Sequence, residues 1–151
     1  MEVRFLADTM LGKLAKWLRI MGYDVHYQSY YKKREIEKYI NEGRLLLSRS
    51  RSVTNIFPNS LLILSNHVKD QLQELMDASL ISSDRSRWFS RCILCNVVLN
   101  QAKKEEARDL VPDYVFSQNI NGIRYCPSCD RYFWPGSHKE KMISLMVEWG
   151  F

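Results

Sequence analysis

Short continuous apolar runs alternate with helical stripes along the first eighty residues. Val3 to Ala7 reads as a buried strand that ends at Asp8. Leu11, Leu14, Ala15, Leu18 and Met21 then recur at the 3.6-residue period, while Lys13, Lys16 and Arg19 share another side. That pattern predicts an amphipathic helix, and Gly22 is placed to end it. Asp24 to Tyr27 reads as a second strand, Glu35 to Glu42 as a short helix closed by Gly43, and Arg44 to Ser48 as a third strand. Leu61 to Leu64 reads as a fourth strand, and Val68 to Leu80 as a helix. Strand, helix, strand, helix, strand, strand, helix predicts an α/β fold, a mostly parallel sheet flanked by helices. Its unbroken apolar strands fit a sheet covered on both faces.

In such sheets ligands bind beyond the carboxyl ends of the strands, where the connections diverge. Asp8, the segment Ser48 to Ser50, and the segment Asn66 to Asp70 would converge on that edge. The composition changes after the polar stretch near residue 84. The expected organisation is an α/β domain over 1–83, a linker over 84–90, and a cysteine-bearing module with a terminal helix over 91–151.

Two C-x-x-C pairs, Cys92/Cys95 and Cys126/Cys129, define that module. Each pair turns two thiolates toward one ion, so together they predict a tetrahedral zinc site. Four thiolates leave no open position, which makes the site structural and not catalytic. The long insert between the pairs reads as a hairpin excursion from Val111 to Ile123, with Asn121-Gly122 as its turn. Ser137 and Glu140 have capping-box spacing, so a final helix is expected to start there. Met142, Leu145, Met146 and Trp149 would form its apolar stripe, laid against the sheet domain. Tyr132, Phe133 and Trp134 either stack on bases or pack the small module.

The formal net charge is +5 over 151 residues. Residues 1–51 hold 11 Lys and Arg against 6 Asp and Glu, and residues 52–151 hold 11 of each, so the excess lies in the first third. That balance suits phosphate backbones through counterion release, or is a solvated lysine-rich surface. No apolar run is long enough to span a membrane, so no membrane partner is expected. The opening residues lack the order of a signal peptide, which points to a reducing, cytoplasmic compartment where cysteines hold metal.

Several stretches together resemble a family. They are Phe5 to Arg19, Gly22-Tyr23-Asp24 and Gly43 to Arg49, followed by Arg91-Cys92, Cys95-Asn96 and Leu99. Cys126, Cys129, Arg131, Trp134, Gly136, Ser137 and His138 complete the set. They resemble the PIN-like ribonuclease domain with an appended zinc ribbon, the type named for the C-terminal part of the Mut-seven exonuclease. The resemblance implies a metal-dependent ribonuclease, hydrolysing phosphodiesters with magnesium or manganese held by carboxylates at the strand ends. Asp8 sits where the family's first acid sits, and Asp70 is the candidate for a late one. The family's Thr-Arg-Asp is here Ser48-Arg49-Ser50, and the acid expected before the second helix is replaced by Tyr30-Tyr31-Lys32-Lys33-Arg34. Glu35 or Glu37 would substitute only if that helix is shifted.

Three functions follow from this set. One is a ribonuclease with an incomplete carboxylate set, using Asp8 and Asp70 as magnesium or manganese ligands and Ser50 as a weak ligand or water positioner. Another is an RNA-binding module without catalysis, in which Lys13, Lys16, Arg19, Lys32, Lys33, Arg34, Arg49 and Arg51 contact phosphates. A third is an adaptor whose zinc ribbon docks a protein partner. RNA is the expected ligand of the first two, and a homodimer is open in all three.

Overall fold

The computed structural model describes residues 2–119 and 121–151. The chain divides into two compact units, one ending at Asn96 and the other beginning at Val97.

The first unit is an α/β sandwich. Its strands are β1 (Phe5–Ala7), β2 (Val25–Tyr27), β3 (Leu45–Ser48) and β4 (Ser60–Leu62), and its helices are α1 (Gly12–Ile20), α2 (Lys33–Asn41), α3 (Arg51–Ile56) and α4 (Val68–Asp77). The strands form one parallel sheet in the order β2-β1-β3-β4. Parallel pairing follows from the helix between each pair of consecutive strands, which carries the chain back to the starting edge. Strand β1 is central and all three of its residues are buried, which explains why it reads as a continuous apolar run. Side chains alternate across it. Leu6 joins Leu46, Tyr31 and Phe57 in a core that Ile36, Tyr39, Ile40 and Val53 of α2 and α3 cover. Phe5 and Ala7 point to the other side, and α1 packs on β1, β2 and α4.

Helix α1 is more deeply buried than its stripe predicts. Trp17 and Ile20 are buried along with Leu11, Leu14, Ala15, Leu18 and Met21, and only Lys13 and Lys16 of its polar side reach solvent. The helix ends as expected at Gly22, which adopts φ +95°. Gly22 N donates to Arg19 O and Tyr23 N to Leu18 O, the paired bonds of a left-handed helix cap. Helix α4 stops at Asp77, not Leu80, because Ser79 takes φ 58° and Leu80 N turns back to Leu75 O. Helix α3 is an addition to the expected order. Six residues with apolar side chains only at Val53 and Ile56 are too few to display a period. Strand β4 begins one residue early and ends at Leu62, leaving Leu64 exposed.

The second unit holds a small antiparallel sheet, β5 (Asn100–Gln101), β6 (Arg124–Tyr125) and β7 (Tyr132–Phe133), in that order. Its helices are α5 (Lys104–Ala107), α6 (Asp113–Gln118) and α7 (Ser137–Glu148). The expected hairpin from Val111 to Ile123 is therefore corrected: α6 occupies its first arm. Ala107 at the end of α5, Val111 in the connection and Val115 of α6 bury together with Ile123. Ile120, within the expected hairpin, lies outside the described residues. Tyr132 and Trp134 pack against this core and so serve the module's interior. Helix α7 starts at Ser137 as predicted, but Gly136 holds the cap position and no side chain caps the helix, so the expected capping box is absent. Met142 and Met146 are buried, whereas Leu145 is exposed.

Candidate functional site

Strands β1 and β3 lie side by side, while the connection from β1 leads to β2 and that from β3 leads to β4. The carboxyl ends of β1 and β3 are thus the topological switch point of the sheet. Asp8 follows β1 there. Its N–H donates to Leu47 O at 3.0 Å, which extends the ladder by one residue and brings its side chain beside Ser48. The buried Ser48 hydroxyl donates to Asp8 Oδ2 at 2.7 Å, and Thr9 N donates to Asp8 Oδ1 at 2.8 Å. Ser50 N donates to Ser48 Oγ at 3.1 Å, so Ser48 links the two expected site residues. The Ser50 side chain accepts from Val53 N as the cap of α3 and pairs with the Ser52 hydroxyl at 2.8 Å.

Asp70 is exposed in the first turn of α4 and makes no hydrogen bond or ion pair among the described residues. The nearby carboxylate that holds this edge together is Glu74, which sequence reasoning passed over. It accepts from Leu64 N at 2.9 Å and Ser65 N at 3.1 Å, fixing the turn after β4. Glu35 accepts from Gln28 Nε2 at 3.1 Å and Lys32 N at 3.3 Å, and both bonds hold its carboxyl below the usual range.

The family resemblance calls for several carboxylates around a divalent cation. Magnesium held by a single carboxylate takes the rest of its coordination from water and substrate phosphates. Among the described residues, the one group of three or more His, Cys, Asp or Glu side chains close enough to share an ion is the cysteine set. Asp8 brings one carboxylate, both of whose oxygens already accept hydrogen bonds, and the serines beside it bring no charge. These residues do not fit a resident magnesium or manganese ion.

The basic residues fall into two groups. Lys13, Lys16, Lys32, Lys33, Arg34 and Arg51 are exposed. Arg49 is half-buried, and its Nε is a buried donor with no partner. Arg19, expected on the solvated basic side, is instead 8% exposed. It donates to Val25 O at 3.0 Å, Ile93 O at 2.9 Å and Leu94 O at 3.3 Å. A buried guanidinium must satisfy its fork of donors, and here backbone carbonyls do so. Arg19 therefore holds the fold and is withdrawn from the phosphate-contacting set.

His26 lies on β2, with Tyr31 Oη 2.8 Å from its Nδ1 and the Tyr39 ring 3.9 Å away, centroid to centroid. Burial, reinforced by the charges of Arg44 and Arg19, lowers its pKa below the ordinary histidine value. The unfolded chain therefore binds this proton more readily. Stability is expected to fall as pH drops through and below 6.5, toward the lowered folded value, and to be indifferent to His26 above it. Thermal melts between pH 7.5 and pH 5 should show that loss, and His26→Phe should flatten it.

The four cysteine sulfurs lie within 4.8 Å of one another. The two knuckles share one backbone device. Asn96 N donates to Cys92 O at 2.8 Å and Asp130 N to Cys126 O at 2.9 Å. The donating residue is left-handed in both, with φ 65° at Asn96 and 61° at Asp130. Four soft ligands in this spacing are a donor set for zinc, with no position left for catalysis.

No helix among the described residues is long and apolar enough to cross a membrane. No curated protein and no solved structure matches the chain. A family model described as the Mut7-C RNAse domain matches residues 3–146, a span that takes in both the acid-bearing edge of the parallel sheet and the four cysteines. With that match added to a parallel α/β unit and a four-cysteine cluster, the chain belongs to the Mut7-C RNase domain family.

Proposed function

We propose that the chain binds RNA along the carboxyl edge of its parallel sheet and has lost most of the metal-dependent hydrolysis that a full carboxylate set would support. The observation that carries this reading is that Asp8 has Ser48 and Ser50 as its hydrogen-bonded neighbours and, among the described residues, joins no group of three or more potential metal ligands. Family membership supplies RNA as the ligand class. Lys13, Lys16, Lys32, Lys33, Arg34 and Arg51 offer exposed charge for phosphates, and Arg49 adds an unused donor next to the serines. Zinc in the cysteine set is structural in this reading. A reduced ribonuclease is the second reading, favoured by Asp8 keeping its place at the switch point; Asp70 and Ser50 would assist it with a magnesium or manganese ion that RNA itself helps to hold.

Binding and cleavage of a labelled RNA decide between them. A binder loses affinity steeply with salt, with a logarithmic slope of roughly −0.7 for each single-strand phosphate neutralised. Asp8→Asn should leave that affinity intact, and wild-type protein with manganese should leave the RNA whole. Ser50→Asp should introduce manganese-dependent cleavage. Wild-type cleavage that Asp8→Asn abolishes would establish the ribonuclease reading instead.

A further inference from the structure

The first cysteine knuckle, Cys92 to Cys95, is built into the corner where α1 turns into β2. Arg19 reaches from α1, and its guanidinium ties Val25 O of β2 to the knuckle carbonyls of Ile93 and Leu94. Asn96, the left-handed residue that closes the knuckle, accepts from Val25 N at 2.9 Å and donates to Asp24 Oδ1 at 2.7 Å. Asp24 is held in turn by Arg44 at 2.8 Å. Arg91, just ahead of Cys92, donates to Gly22 O at 3.1 Å and Asn96 O at 2.8 Å. Phe89 N donates to Ile20 O at 2.7 Å.

The second knuckle differs. Its left-handed residue, Asp130, accepts from the nearby Tyr125 hydroxyl and stays within its own hairpin. The first knuckle completes the hydrogen bonding of the parallel sheet unit: Val25 N at the start of β2 has a side-chain acceptor from residue 96. If the knuckle opens, Arg19 loses the Ile93 and Leu94 carbonyls while its guanidinium stays buried, a costly state for a charged group.

We propose that Arg19 and Asn96 are positioning residues for zinc, locking the Cys92–Cys95 knuckle onto the α1–β2 corner so that metal occupancy and the closure of that corner are thermodynamically linked. Linkage is reciprocal: zinc tightens the corner, and the corner raises zinc affinity by presenting two of its four ligands in place. The inference rests on zinc being the metal of the cysteine set.

The test uses the full chain. Chelating zinc from wild-type protein is expected to speed amide exchange at Val25 and through residues 20–27 by about tenfold or more, while Leu46 and Leu47 of β3 keep their protection. Asn96→Gly preserves the left-handed backbone but removes both side-chain bonds. It should weaken zinc binding, measured by chelator competition, by about 10–100-fold and erase the metal dependence of exchange at residue 25. Arg19→Lys keeps the charge without the fork and should weaken zinc similarly, with altered visible bands when cobalt replaces zinc. Exchange at residues 20–27 that ignores chelation overturns the proposal, and does so without any variant. Wild-type zinc affinity in both variants overturns it too, with the zinc assignment intact. A wild-type chain that takes up neither zinc nor cobalt would overturn the zinc assignment itself, and the proposal with it.

Discussion

Cys126→Ser is expected to abolish stable zinc binding and to unfold residues 97–151. Cys126 is fully buried, and its N–H and C=O hold the Arg131 and Asp130 backbone of its own knuckle. The unit around it has three two-residue strands and one apolar cluster of four buried side chains flanked by partly buried ones. So small a core rarely stabilises a fold unaided. Structural zinc contributes about 10–16 kcal/mol of apparent binding free energy at neutral pH, and in such units most of it is folding free energy. The signature would be collapse of amide dispersion for residues 97–151 on substitution or chelation, recovered in the wild type when zinc is restored. Retained dispersion in the zinc-free variant would show that the apolar core suffices and that the metal is dispensable.

Gly22→Ala is expected to destabilise the parallel unit by about 2–5 kcal/mol, combining left-handed strain with overpacking. The backbone there stands at φ +95°, which L side chains rarely adopt. A Cβ would also come within 2.5 Å of Arg87 O and 2.9 Å of Arg87 Cβ. The first of these atoms is backbone and cannot rotate away. The contact arises because the segment from Arg87 to Arg91 lies across the end of α1, with Arg87 Nη2 and Arg91 Nε both donating to Gly22 O. Chemical denaturation of the variant measures the loss, and an unfolding free energy within a few tenths of a kcal/mol of wild type would mean that the crossing segment is free to lift off.

Much of this architecture was legible because it is written in local patterns. The strands β1 and β3 are apolar runs bounded by polar residues, and the stripe of α1 ends on a glycine with left-handed geometry. The cysteine spacing likewise announces its chemistry without reference to the fold. What stayed hidden is non-local. Nothing in the spacing of Lys13, Lys16 and Arg19 separates the two that face water from the one that is buried, because the difference is made by carbonyls more than seventy residues away. Glu74 and Asn96 carry polar side chains of the kind that normally decorate surfaces, and only the folded chain shows each satisfying backbone groups of a distant turn or strand. Helix α3 was missed for a simpler reason, since six residues give a periodicity too little room. That serines stand at 48 and 50, where the family pattern has threonine and aspartate, could be read from the sequence. The hydrogen bond that Ser48 gives to Asp8 could not.

The central position of β1 bears on how the chain reaches this structure. Strand β1 is made before the other three strands of its sheet and must pair on both sides with partners made later, and its second neighbour, β3, is complete only at Ser48. One side of Phe5, Leu6 and Ala7 therefore stays unpaired while some forty further residues are synthesised, and no hairpin is available to shelter it. Ladders closed over such separations form slowly compared with helical bundles. Refolding from denaturant should accordingly be sensitive to protein concentration, with aggregation through this apolar tripeptide competing against the return to the native sheet.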